Sequence, residues 1–480
     1  MRKIIVSNLS LFTCSMVLLF GLLNLAVRLP CAQAEEFCVG CASTDITPEL
    51  AFPMSGYYHE RLSEGTSDPL LAKAFVFKQG DCRVALVLCD IISLNQTWTD
   101  AARQKASKET GIPVSAILIC ATHTHTGPTR DDLKPDQTVE MNAEAVKNND
   151  RTKYDYGLRL VTQVTAAISQ ASANLRPATI ETGKAKVENL SFNRRFFMNN
   201  NDQVVFNPGI KNPHIIRPAG PIDPDPGIVL FKDAKTGKPF ASIVNFALHL
   251  DTTGGVLFSA DYPFYLSNVL QQKYGSDFFS GFGTGTCGDI NHIDVSGATR
   301  RKAPQIGEQL GQIVAEALEK NLKPTQASLA TVNNNLFWPK RKYTEEEIEK
   351  AKEIRPFIYK SGSPYTFLER TKAGMVFKTL KRPDLTDLEI QAIRLSNDTA
   401  IVVLPGEVFV ELGLAIKAGS PFANTLVIEL SKTDIAYVPT KKAVQEGSYE
   451  TINSVIEPGG GEKMVEIALE CLKKLAFGGR

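Results

Sequence analysis

Short apolar runs recur along this 480-residue chain, and each delivers a polar or reactive residue into a turn. Ile117-Leu118-Ile119-Cys120-Ala121 runs into Thr122-His123-Thr124-His125-Thr126 and stops at Gly127-Pro128. Val244-Asn245-Phe246-Ala247-Leu248 delivers His249 and continues to Thr252-Thr253-Gly254-Gly255. Ile401-Val402-Val403-Leu404 delivers Glu407 directly after Pro405-Gly406, and Asp434-Ile435-Ala436 delivers Tyr437 ahead of Val438-Pro439-Thr440. Runs of this length, closed by Gly and Pro, read as buried strands. A fold that ends its strands on reactive side chains can gather them at one edge of a sheet.

Further strands are expected at 72–77, 84–89 (ending at Asp90), 228–231, 241–247, 400–404 and 425–430. Apolar spacings of three and four predict helices over 155–173 and 301–320, and 464–475 reads as helical too. The stretch 343–354 predicts a charged helix with Glu345, Glu346 and Glu347 near its start, where the helix dipole favours anions. Strands alternating with helices imply an α/β arrangement in which helices cover sheets. Two polar stretches interrupt the alternation. Residues 129–150 read as a surface loop or lid, and 199–227, rich in Asn, Pro and Gly, as a long connection or hairpin.

Residues 1–34 have the form of a secretion signal: Arg2 and Lys3, an apolar stretch over 9–27, and Ala32-Gln33-Ala34 as a cleavage site. The competing reading is an uncleaved membrane anchor, since the apolar stretch is long for a signal. Either reading places the remainder outside the cytoplasm, periplasmic or secreted. That remainder, 35–480, holds 50 basic and 52 acidic residues, a balance that gives no reason to expect nucleic-acid binding. It also keeps seven cysteines, Cys38, Cys41, Cys82, Cys89, Cys120, Cys287 and Cys471. Cys38-x-x-Cys41 lacks a second pair at zinc-finger spacing, so the set reads as small buried apolar residues or one local bridge.

Two of only six histidines stand at 123 and 125. Positions i and i+2 of an extended segment point to the same side, which would hold the two imidazoles together. Neutral imidazole is the commonest metal ligand, and a hydrogen-bonded surface pair is the plain alternative. Taken singly, His249 reads as structural and Glu407 as a turn residue. Phe282-Gly283-Thr284-Gly285-Thr286-Cys287-Gly288-Asp289 reads as a flexible Gly-rich segment; with no Lys-Ser/Thr after it, it is not a phosphate loop.

In combination these segments resemble the neutral (non-lysosomal) ceramidase family, zinc amidases that cleave the N-acyl bond of ceramide. The resemblance is carried by 121–128 with its His-Thr-His, Asn193-Arg194, Asn245-Phe246-Ala247-Leu248-His249, Gly288-Asp289, Leu404-Pro405-Gly406-Glu407, Tyr437-Val438-Pro439-Thr440 and Tyr449-Glu450. The opening Asp45-Ile46-Thr47-Pro48 belongs to the same set. It implies an α/β fold with mixed sheets covered by helices, forming a single large catalytic domain over 35–480. It further implies Zn2+ held by His123, His249, Glu407 and Tyr437, two nitrogen and two oxygen ligands that zinc accepts with an open position for water. His125, Arg194 and Tyr449 would face the substrate. Asp90 and Asp261 could orient a ligand histidine or simply be buried structural acids.

The expected activity is hydrolysis of an N-acyl amide, ceramide or a related compound, by a zinc-activated water. A small-molecule or lipid substrate leaves room for a peripheral membrane contact. Other classes on the same residues are a non-catalytic extracytoplasmic binding protein that keeps the metal site and a zinc-dependent esterase. A serine esterase is not expected, because the chain has no Gly-x-Ser-x-Gly elbow. The chain departs from the family in two places. Ceramidases carry Gly-Asp-Val-Ser-Pro-Asn where this chain has Gly288-Asp289-Ile290-Asn291-His292-Ile293, so contacts to substrate are expected to differ there. Ceramidases also carry a carboxy-terminal immunoglobulin-like domain, for which no room is expected after 464–475.

Overall fold

The strands that carry the reactive residues lie toward opposite rims of one sheet, and the sheet curls until those rims meet. In this computed structural model, which describes residues 35–129, 133–134, 136–297 and 299–478, the sheet order begins with Phe279–Thr284, Pro239–Phe246, Gly227–Asp233 and Arg176–Lys184. It continues through Phe37–Asp45, Leu71–Gln79, Cys82–Cys89 and Ile117–Ala121. The central pairings are antiparallel; the pairs at the two rims, Pro239–Phe246 with Phe279–Thr284 and Cys82–Cys89 with Ile117–Ala121, are parallel. His249 follows the carboxy-terminal end of Pro239–Phe246 in one rim pair, and His123 follows that of Ile117–Ala121 in the other.

Aromatic packing across the interior shows the curl. Phe75 on Leu71–Gln79 meets Phe279 edge-on at 5.1 Å, although four strands lie between theirs in the sheet order. Phe77 lies 5.6 Å from Phe231. Phe75, Phe77 and Phe231 are fully buried, and each contributes roughly 1.5–3 kcal/mol on removal from water. At the seam the Thr284 hydroxyl donates to the Thr122 carbonyl at 2.6 Å.

A second sheet, Ala327–Pro339, Leu385–Ser396, Thr399–Val403 and Asn424–Ile428 in that order, packs its Ile393, Ile401, Val403 and Ile428 into the same core. The chain leaving its last strand passes between the two rims of the first sheet. Glu429 N–H donates to Thr284 O at 2.9 Å, and Ala121 N–H donates to Leu430 O at 3.1 Å. Helices Gln96–Thr110 and Tyr156–Ala173 lie on one side, Tyr262–Tyr274 against Ala303–Lys320 on another, and Gly460–Phe477 covers the second sheet. The result is the mixed-sheet α/β architecture expected from the alternation, with Glu36–Arg480 forming one compact unit.

The expected strands and helices are present, most with ends shifted by a residue or two; the helix expected over 464–475 starts four residues earlier, as Gly460–Phe477. Asp155 caps the helix Tyr156–Ala173, accepting from Leu158 N–H, and Thr344 with Glu347 forms a capping box at the start of Glu345–Ile354. Residues 129–150 are more than a loop. Val139–Lys147 is helical and is pinned by Asn142, whose side chain bonds Asp155 in both directions at 2.8 and 2.7 Å. The helix buries only Asn142 and Ala145, so it has no apolar stripe to read. Within 199–227, Asn201–Phe206 and Ile215–Pro218 flank Arg195–Met198 as a three-stranded sheet.

The Gly-rich segment 282–289 is buried throughout. Its first residues end a buried strand, and a Cβ on Gly288 would sit 2.6 Å from the Glu407 carbonyl oxygen, so glycine is what lets two site-bearing backbones touch. All seven described cysteines are free thiols, so no local bridge forms. Residues 1–34, read as a secretion signal or an anchor, lie outside the described residues. No helix among the described residues is long and apolar enough to cross a membrane.

Candidate metal centre

His123 sits two residues past the strand Ile117–Ala121 with φ of 77°, so the extended geometry expected for the His-Thr-His segment stops before it. A turn brings the two imidazoles together instead of the pleat. His123 N–H donates to Ile91 O at 2.9 Å and His125 N–H to Leu250 O at 3.0 Å, fixing the turn to both neighbouring loops. The rings meet edge to face at 5.0 Å. His249, delivered by Pro239–Phe246, lies edge to face on His123 at 4.3 Å.

Each of the three imidazoles turns its Nδ1 to a backbone carbonyl: His123 to Ile92 O at 2.7 Å, His125 to Gly56 O at 3.0 Å, His249 to Cys287 O at 3.3 Å. A carbonyl oxygen only accepts, so the ring proton resides on Nδ1 and Nε2 carries a bare lone pair. Those lone pairs face one another. His123 Nε2 is 2.9 Å from His249 Nε2 and 3.4 Å from His125 Nε2. Burial first, and the neighbouring imidazoles with it, push His249 far below the ordinary histidine range; burial likewise pushes His125 down to about 4, against the pull of Asp251.

Glu407 completes the cluster. Gly406 adopts φ of 82° to turn the chain, and Glu407–Val408 then pairs in parallel with Tyr437–Val438, setting Glu407 beside Tyr437 in register. Glu407 Oε2 is 3.3 Å from His123 Nε2 and 3.8 Å from His249 Nε2. It is buried and has no hydrogen-bond partner, because the facing nitrogens have no proton to give. Burial alone would raise this carboxyl; the Tyr437 phenol and Arg194 act against that rise. Burial pushes the Tyr437 phenol far up, opposed chiefly by Arg194, whose Nη2 donates to the phenol oxygen at 3.0 Å.

Four of the predicted residues, His123, His125, His249 and Glu407, thus converge on one point with Tyr437 adjoining. Three nitrogen lone pairs and an unpartnered buried carboxylate oxygen repel one another unless a cation lies among them, and the donor set fits a borderline ion such as zinc. The three histidines are the described group whose geometry can hold a metal ion.

Arg194 is buried and committed. Its Nε donates to Glu450 at 2.8 Å and its Nη2 also donates to Gly288 O at 2.7 Å. Tyr449 stacks on Phe206 at 4.5 Å, and its hydroxyl lies 3.1 Å from that of Tyr58. Asp90 and Asp261 do not bond a histidine. Asp90 accepts from Leu71 N–H at 3.0 Å and Thr122 Oγ1 at 3.1 Å; Asp261 accepts from Thr252 and Thr253 N–H, both at 3.0 Å. Backbone carbonyls orient the rings in their place, and Asp261 tightens the turn after His249.

Two residues of the site had no role assigned from the sequence. Glu429, fully buried, accepts from Val408 N–H at 2.6 Å and from the Cys287 thiol at 3.1 Å, holding the backbone that follows Glu407 to the Cys287 segment behind His249. Its signal was a carboxylate inside an apolar run. Glu450, fully buried as well, anchors both Arg194 and Arg195.

Two cavities open onto the cluster and share His125, Tyr437, Tyr449 and Tyr58. One, about 300 Å³, reaches past Arg194 and His249 to Asn291, His292, Arg300 and Lys302. The other, about 470 Å³, reaches past His123 and Glu407 to Tyr359 and Met375. The cluster is therefore accessible from solvent.

The profile of the neutral/alkaline non-lysosomal ceramidase family, N-terminal, matches residues 37–291. Among solved structures, the neutral ceramidase from Pseudomonas aeruginosa superposes with a TM-score of 0.69 at 18% identity, over 92% of this chain and 75% of that one. A ceramidase complexed with C2 superposes with a TM-score of 0.68 at 17% identity and the same coverage. No curated protein matches the chain by sequence.

Proposed function

The chain belongs to the neutral/alkaline non-lysosomal ceramidase family, and on that premise we propose that it hydrolyses an N-acyl amide bond at a zinc ion held by His123, His249, Glu407 and Tyr437. The observation that carries this reading is the convergence of three proton-free Nε2 atoms on a buried carboxylate oxygen that has no partner. Zinc supplies an activated water and polarises the scissile carbonyl.

The chain's own residues supply orientation and charge. Carbonyls of Ile92, Gly56 and Cys287 fix the tautomers, so each imidazole presents its lone pair without rearrangement. Arg194, locked by Glu450 and Gly288 O, lowers the cost of negative charge on the Tyr437 oxygen and serves Tyr437 as a ligand. Tyr449 lines both cavities, where a carbonyl oxygen gaining charge would accept a hydrogen bond from its phenol; His125 lines both as well and presents its bare Nε2 to them. His125 also lies close enough to His123 to reach the same ion, so metal retention in His125→Ala separates a ligand from a substrate contact. The cavity toward Tyr359 and Met375 adjoins a further one of about 850 Å³ beside Ile358 and Phe377, space that suits an acyl chain.

The test is metal analysis of the purified protein with assays on N-acyl sphingoid bases and N-acyl amino acids. About one zinc per chain is expected, lost together with activity in His249→Ala and Glu407→Ala. Normal zinc in both variants, or no zinc in the parent, overturns the reading. Export with removal of residues 1–34 is part of it and is checked by the amino-terminal sequence of protein recovered outside the cytoplasm.

A further inference from the structure

The cavity on the His249 side of the cluster is built differently from the one on the Glu407 side. On the Glu407 side the lining cation Lys378 is neutralised by Asp434 at 2.8 Å. On the His249 side Arg300 and Lys302 are exposed at the rim and make no ion pair among the described residues. They stand at the start of the helix Ala303–Lys320, whose dipole adds to their field. Asp251 also lines this cavity, but it is occupied by the Tyr57 phenol, leaving two cations against one engaged carboxylate. Beneath them His292 Nδ1 is buried with no hydrogen-bond partner. Asn291 and His292 are the residues that replace the Ser-Pro of the family pattern, so the difference in sequence falls on the wall of this cavity.

We propose that this cavity receives an anionic head group, so that the substrate is an N-acylated amine bearing an acidic group, such as an N-acyl amino acid, with Arg300 and Lys302 selecting the charge. The inference rests on the amide-hydrolase reading for its reaction but not for its binding. An acidic group there would lie between the two cations and offer His292 the partner it lacks, while the acyl chain occupies the cavities beside Tyr359 and Met375. Two exposed ion pairs should give roughly fivefold to thirtyfold discrimination that falls as salt rises.

The experiment compares N-lauroylglycine with N-lauroylethanolamine, which differ in head-group charge and little else, on the full zinc-loaded chain below their micellar concentrations. Dissociation constants come from calorimetry and kcat/KM from amine release. Expected is a roughly fivefold or greater preference for N-lauroylglycine in binding, shrinking at 0.5 M salt and shrinking toward one in the Arg300→Gln/Lys302→Gln protein. Equal binding of the two, a preference that survives the double substitution, or no binding of either overturns the inference. If the binding preference appears and neither compound is cleaved, the head-group site stands and the amidase reading falls instead.

Discussion

Replacing Glu450 with Gln should cost the fold more than any exposed change and should disturb the metal centre from behind. The Glu450 side chain is fully buried, and it faces Arg194 at 2.8 Å and Arg195 at 3.3 Å, both nearly as buried. Removing one partner of a buried ion pair costs about 3–5 kcal/mol, because a charge is left in low dielectric. Gln keeps the volume and a carbonyl that accepts from Arg194 Nε, which returns about 1 kcal/mol. Arg195 keeps Glu446 at 3.3 Å. The expected loss is therefore about 2–4 kcal/mol, a large share of the roughly 5–15 kcal/mol typical of a folded protein. Urea unfolding followed by tryptophan fluorescence measures it, and a double-mutant cycle with Arg194→Met isolates the pair. A coupling of at least about 2 kcal/mol is expected, together with reduced amide hydrolysis as Arg194 loosens its hold on Tyr437. A loss below about 1 kcal/mol, or additive single effects, would refute the claim that this ion pair holds Arg194 in place.

Three further outcomes follow from the same geometry. Tyr449→Phe should retain the metal and lose turnover by roughly a hundredfold, the scale for one lost donor to a developing oxyanion, and an unchanged rate removes Tyr449 from the chemistry. Gly406→Ala should displace Glu407, since its Cβ would lie 2.5 Å from Ile435 Cγ1 at a φ of 82°; reduced zinc content is the readout, and full zinc with wild-type stability contradicts it. Burial pushes the Asp90 carboxyl up to about 6, against the opposing charge of Lys73. The folded state then holds a proton that the unfolded chain releases near 3.8, so this group's contribution is present below about pH 4 and lost as pH rises through 6. The stability of the parent relative to Asp90→Asn should fall between pH 4 and pH 7, by on the order of 3 kcal/mol, and a gap that stays constant across thermal melts rules this out.

Much of the fold was legible because its strands are short, apolar and closed by glycine or proline. Ile117–Ala121 is such a strand, and the histidines after it stood out for the same reason. What stayed hidden lacked that contrast. The strand Ala327–Pro339 runs through Asn333, Asn334 and Asn335, poor strand formers that pair with Leu385–Ser396 all the same. The helix Val139–Lys147 is held by one asparagine and has no stripe. At the site, the residue types were readable and their orientation was not. Extended geometry was the wrong reason for bringing His123 and His125 together, since His123 has a positive φ. Asp90 and Asp261 read equally as partners for the rings or as buried structural acids; they are the latter, and backbone carbonyls orient the rings. Such contacts depend on loops meeting in space, on which a linear pattern is silent.

The wedging of residues 429–431 between the two rims of the curled sheet sets an order of events during synthesis. The imidazoles are translated long before Glu407 and Tyr437, and the seam beside them cannot close until that late segment threads home. A ribosome-bound chain truncated before residue 400 would display three histidines and no carboxylate to complete them. An ion bound as proposed would be loaded only once that late segment is made, and would act as a clasp between an earlier-made and a later-made region of the chain.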